Sequence, residues 1–143
     1  MQLSPNFTLV ELTTTQTGLP NVPSEAEISR LRCLAKELLQ PIRDKWGAIR
    51  VSSGYRCLEV NRAIGGSKTS QHMLGEAADI EPIKADIDDV FRWIVNESKI
   101  FFGQVIRESA KGKDWIHISL PRVNKPNLVA LTYDGKEYKP YAG

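Results

Sequence analysis

The spacing of apolar residues changes period once along this 143-residue chain, and that change limits the fold more than any other feature. Between residues 24 and 47, Ile28, Leu31, Ala35, Leu38, Ile42 and Trp46 recur at helical spacing and lay one apolar stripe along a helix. Ser24, with Glu27 three residues on, forms a capping box that starts this helix, and Gly47 closes it. Pro41 lacks a backbone donor inside the run and is expected to kink the last turn. In the last third, "GQVIRES" and "DWIHISL" alternate as strands do, and Asp134-Gly135 is a strong hairpin signal. Helices first and strands later predict an α+β fold, with N-terminal helices packed on one face of a small antiparallel sheet.

Shorter elements fill in the rest. Thr8, three residues before Glu11, is a capping pattern for a short helix through Leu12. "AIRVSSG" reads as a strand and "LEVNRAI" as a helix ended by Gly65 and Gly66. In "DIDDVFRWIVNES", Ile87, Val90, Phe91, Ile94 and Val95 form a buried stripe. No repeat, linker or low-complexity segment interrupts residues 1–143, which are expected to form a single domain acting as a monomer. Cys33 and Cys57 make at most one pair, lie in no C-x-x-C spacing, and are expected to be two buried thiols. The 19 basic residues stand against 17 acidic ones and are scattered, so nucleic acid is not an expected partner. No leader pattern opens the chain and no run of about 18 apolar residues crosses it, so no membrane span is expected and the chain is placed in the cytoplasm.

The chemistry gathers around the two histidines. His72 precedes Asp79 by seven residues in "SQHMLGEAADIEP", with small residues Gly75, Ala77 and Ala78 between them. In "DWIHISL", alternation puts Trp115, His117 and Ser119 on one face and Ile116, Ile118 and Leu120 on the other. The apolar set must face the core, so His117 faces a cleft or solvent. Two imidazoles and one carboxylate are a usual catalytic zinc set with water in the fourth position. His72 and His117 lie far apart in sequence, so spacing alone leaves zinc beside the plainer reading of satisfied polar side chains.

Taken together, "SGYR" (residues 53 to 56), Asn61, Gly65-Gly66, "SQHMLGEAADI" and "WIHIS" resemble the motif series of the M15 family of zinc peptidases. That family includes D-alanyl-D-alanine carboxypeptidases and the L-alanyl-D-glutamate endopeptidases of phage endolysins, and it shares a fold with the signalling domain of Hedgehog proteins. "NFTLVEL" is similar to the start of the catalytic domain in one branch, so the resemblance spans nearly the whole chain. It implies a Hedgehog/DD-peptidase-like fold holding Zn2+ through His72, Asp79 and His117, with a tight turn at Gly75 keeping the first two close. One anionic ligand would leave the site a net charge of about +1, suited to polarising a peptide carbonyl and acidifying water.

The resemblance also implies the other roles. A general base three residues before the last ligand would be Asp114, and Glu108, at the end of "QVIRE", is the rival. Positions three apart on a regular strand face opposite sides, so Asp114 serves only from a bend entering the strand, for which Lys111, Gly112 and Lys113 supply the composition. Arg56 would grip a substrate carboxylate or stabilise the oxyanion, and Ser70 would bind substrate, with Asn61 and Gln71 as fainter candidates. Trp115 would line the cleft or shield the metal, while Glu76 and Glu81 are left outside the site. The implied substrates are peptidoglycan stem peptides, cut by a phage or prophage lysin released from the cytoplasm to the cell wall. The competing reading is a non-catalytic wall-binding or virion structural module that keeps the fold and metal; the absence of an apparent fourth protein ligand weighs against it.

Overall fold

The computed structural model describes residues 1–143. The chain opens with a two-stranded antiparallel pair, β1 (Gln2–Ser4) and β2 (Phe7–Thr8), followed by α1 (Leu9–Thr13). Thr8 and Glu11 form the expected capping box, the Thr8 side chain accepting from the Glu11 backbone at 3.2 Å and the Glu11 carboxylate accepting from the Thr8 backbone.

Ser24 and Glu27 form the second capping box and start α2 (Glu25–Leu34). The disturbance expected at Pro41 takes the form of a change in helix type before it. The helix widens into one π turn, Ala35–Leu39, and resumes as α3 (Gln40–Trp46), ended by Gly47. Pro41 explains the position of the wide turn: its ring would collide with the carbonyl four residues back, and a looser turn before it gives the ring room. Leu31, Leu34, Ala35, Leu38, Leu39 and Ile42 are fully buried along this rod.

Then follow β3 (Ile49–Ser53), α4 (Leu58–Ala63), a 3-10 turn at Gln71–Leu74, β4 (Ala77–Pro82), α5 (Ile87–Asn96), β5 (Gln104–Ala110), β6 (Lys113–Ser119), β7 (Val129–Tyr133) and β8 (Tyr138–Pro140). The last six strands form one sheet in the order β3-β4-β6-β5-β7-β8. The expected α+β class holds, but the sheet is mixed: β5 and β7 run parallel, Gln104 opposite Val129 and Glu108 opposite Tyr133. Both edges of β6 are already taken, by β4 and β5, so the chain leaving β6 must cross to the outer edge of β5, entering it from the end where Gly103 N–H meets Ser119 O. The Asp134-Gly135 hairpin then returns antiparallel as β8.

Strand alternation divides the central sheet into two faces. Ala78 and Ile80 of β4, Val105 of β5, and Ile116 and Ile118 of β6 join Val90, Phe91 and Ile94 of α5 and the α2–α3 rod in one 21-residue core. Asp79, Ile106, Glu108, Trp115 and His117 project from the opposite face, where α4 and the 3-10 turn border a cleft. Cys33 and Cys57 are free; Cys33 is exposed, on the outer side of α2, where burial was expected, and Cys57 is half-buried. No helix is long and apolar enough to cross a membrane.

Candidate metal centre

His72 and Asp79 meet because two local devices fold the segment between them. The 3-10 turn Gln71–Leu74 buries His72, and Gly75 ends it with φ 76°, a left-handed conformation that sends the chain straight into β4. A side chain at Gly75 would also put its Cβ 2.8 Å from the Glu27 carbonyl. Asp79 then sits in the middle of β4, opposite His117 of β6 in the antiparallel register. Directly paired residues share a face, so the two side chains emerge together.

The three candidate ligands converge, their ligand atoms lying within 4.8 Å of one another. Asp79 Oδ1 lies 3.0 Å from His117 Nδ1 and 3.3 Å from His72 Nε2. On its far side, His72 Nδ1 lies 2.8 Å from the Gly54 carbonyl. A carbonyl only accepts, so Nδ1 carries a proton and the neutral ring turns the Nε2 lone pair toward a carboxylate oxygen. Two acceptors facing each other need a cation between them, either a second proton or a metal ion. His72 is only 3% exposed, and burial pushes its pKa down against the pull of Asp79, which disfavours the imidazolium. The donor set, its tautomer and its burial therefore fit a divalent cation such as zinc, with the Gly54 carbonyl orienting the first ring. Gly54 itself leaves no room for a side chain, since an added Cβ would meet the Leu12 carbonyl.

Asp79 is held as an anion. Burial would push its carboxyl up, but the positive charge that the His72 contact calls for and the hydrogen bond from His117 Nδ1 hold it well below the usual carboxylate range. Its other oxygen, Oδ2, lies 3.4 Å from Arg56 Nη2. Arg56 is fixed in turn by Ser53 Oγ, 2.9 Å from Nε, and by Asn61 Oδ1, 3.4 Å from Nη1. Asn61 is buried and donates to the Ser67 carbonyl at 2.9 Å, tying Arg56 to the loop that carries Ser70.

The two candidate bases part company. Glu108 pairs with Trp115 across the β5–β6 hairpin, shares the cleft face with His117, and accepts from Trp115 Nε1 at 2.9 Å. Burial, and then the charge of Asp79, raise its carboxyl above the usual range, while His117, Trp115 and Arg56 pull the other way. Asp114 lies inside the regular part of β6, opposite Ser109, and not at a bend. It faces the other side of the sheet, exposed, hydrogen-bonded to Ser109 and paired with Arg107 at 2.9 Å. The structure does not bring Asp114 to the cluster, whereas Glu108, the rival, lines the cavity beside His117.

A cavity of about 360 Å³ opens over the three ligands and is also lined by Arg56, Ser70, Gln71, Glu108 and Trp115. The Ser70 hydroxyl accepts from the His72 backbone at 3.1 Å, capping the turn while facing the cavity. Glu81 pairs with Arg50 at 2.6 Å and Glu76 accepts from Gln71 at 3.2 Å, so neither is free to join the ligands. Trp115 lines the cavity and its Nε1 donates to Glu108. Sequence reasoning missed that bond and the Gly54 carbonyl behind His72, because both depend on pairings across the fold that no local spacing encodes.

No curated protein matches the chain. A family model described as peptidase M15 does match it over residues 4–119, a stretch containing all three converging ligands together with Arg56 and Glu108, and the chain thus belongs to the peptidase M15 family.

Proposed function

We propose that this chain is a zinc metallopeptidase that hydrolyses peptide bonds in the stem peptides of bacterial peptidoglycan, as a D-alanyl-D-alanine carboxypeptidase or an L-alanyl-D-glutamate endopeptidase. One observation carries the reading: His72, Asp79 and His117 converge without a fourth protein ligand, and Glu108 faces the same cavity from the neighbouring strand. When bound there, zinc supplies Lewis acidity toward a carbonyl and lowers the pKa of water.

The chain's own side chains do the rest. Glu108 accepts the proton of the attacking water and returns it to the departing amine nitrogen, so the peptide bond gains one water and Glu108 ends as it began. A carboxyl raised above its ordinary range is a better proton acceptor near neutrality. Trp115 Nε1, bonded to one Glu108 oxygen, leaves the other to the water. Arg56, held beside Asp79, places positive charge near the oxygen that becomes anionic as the carbonyl turns tetrahedral. Ser70 accepts through its oxygen, so its hydroxyl proton remains for substrate.

The endolysin-like motif series supports a phage-type lysin acting on the wall after release. A wall-binding module using the same metal as a staple is the competing reading, and it leaves the inward-facing Glu108 without a task. Mass spectrometry of purified peptidoglycan incubated with the zinc-loaded protein separates them. New free D-alanine marks a carboxypeptidase and new N-terminal D-glutamate an endopeptidase, each abolished by chelator. Unchanged muropeptides with zinc present overturn the peptidase reading.

A further inference from the structure

Two arginines line the cavity over the candidate metal centre, and they differ in how firmly the protein already holds the guanidinium. Every guanidinium nitrogen of Arg56 already has a protein partner: Nε the Ser53 hydroxyl, Nη1 Asn61 and Nη2 Asp79. Arg122, beyond the family-matched residues, meets the protein through Nε alone, 3.5 Å from Glu76 Oε1. Its side chain is 39% exposed, against 14% for Arg56, and neither Nη group makes a hydrogen bond within the protein.

The backbone at Arg122 is built to stay where it is. Asn127 Oδ1 accepts from the Arg122 backbone at 3.0 Å while Asn127 Nδ2 donates to the Arg122 carbonyl at 3.1 Å, closing the loop between β6 and β7 from both sides. Two non-glycine residues of that loop, Asn124 at φ 62° and Leu128 at φ 58°, hold left-handed conformations. For leucine this is costly, and it persists only where the surroundings impose it. The result is an anchored backbone from which the Arg122 side chain reaches the lining of the cavity with both Nη groups unpaired, the donor pair that can read a carboxylate in bidentate fashion.

Resting on the peptidase reading above, we infer that Arg122 is a specificity-determining residue that binds a free carboxylate of the peptide next to the scissile bond, while Arg56, anchored through all three nitrogens beside Asp79, stays with the reacting carbonyl. Gln104 and Tyr138 line the same cavity and add polar groups to it. The site therefore takes peptides carrying a free α-carboxylate there and disfavours their amides.

The test is calorimetric binding to zinc-loaded Glu108→Gln protein, in which hydrolysis is too slow to interfere. The probes are N-acetyl-D-alanyl-D-alanine and N-acetyl-L-alanyl-D-glutamate, each as the α-carboxylate and as the α-amide. The acid forms of at least one probe are expected to bind about 10- to 100-fold more tightly than the amide, the usual worth of charge-assisted hydrogen bonds. Adding Arg122→Ala or Arg122→Gln removes that preference without changing amide affinity or zinc content, and Arg122→Lys restores part of it. Equal affinity for acid and amide, no binding of either, or a preference that survives Arg122→Ala overturns the inference. Because binding is read without turnover, a protein that prefers the acid through Arg122 yet leaves peptidoglycan intact would overturn the peptidase reading alone.

Discussion

Glu108 and Asp114 stand on the two strands of one hairpin and face opposite sides of it. The alternation rule was legible in "DWIHISL" and already placed residues three apart on opposite faces; what the sequence could not supply was the hairpin register, which decides where the bend lies. The bend falls at Lys111 and Gly112, both with positive φ, so Asp114 is already on the regular strand. Glu108→Gln is expected to keep one zinc and lose kcat by about 10²–10⁴, whereas Asp114→Asn keeps the wild-type rate; paired kinetics and metal analysis read both. The reverse pattern would return the base to Asp114. Since the base must be ionised, hydrolysis falls as pH drops through the Glu108 pKa, and burial sets that limb above the ordinary carboxylate range.

At the scale of elements, the least legible strand is the one that carries Asp79. "AADIEP" alternates only weakly, because small alanines and a buried carboxylate blur the contrast between faces, yet β4 is a central strand between β3 and β6. The turn before it was readable from Gly75. Gly75→Ala places a Cβ against the Glu27 carbonyl and forces a left-handed alanine; it is expected to cost about 1–3 kcal/mol by urea denaturation and to weaken zinc binding. On the other face of the same sheet, Ile116 is fully buried beneath α5, and Ile116→Ala is expected to cost about 2–5 kcal/mol while the folded fraction still binds zinc. Zinc affinity that falls with Ile116→Ala as far as with Gly75→Ala would mean that the site lacks its own local scaffold. The parallel β7 escaped the sequence because pairing direction depends on which strand edge is vacant, and the long helix hid its π turn because helical spacing tolerates one wide turn.

For the whole molecule, one core beneath the sheet supports a polar face above it, and the candidate metal centre brings together residues from the turn before β4, β4 itself and β6. An ion bound only by the folded chain stabilises it, by about 2.7 kcal/mol when free zinc exceeds its Kd about a hundredfold. Chelator is therefore expected to lower Tm by on the order of 10 °C, and His117→Ala to make Tm insensitive to zinc; a zinc-independent Tm in the wild type would contradict the site. Helical and strand periods revealed the fold class and the cleft face of His117, and the resemblance to M15 peptidases pointed to His72, Asp79 and His117 as a set, while Trp115 behind Glu108, Gly54 behind His72 and the loop carrying Arg122 arise only once distant segments pack.

Anomalous diffraction at the zinc edge from crystals of the zinc-loaded protein tests the central claim most directly. A single peak within about 2.0–2.2 Å of one donor atom each from His72, Asp79 and His117, with no fourth protein ligand, is the predicted result. A peak elsewhere, or a fourth side chain closing the coordination, would contradict it.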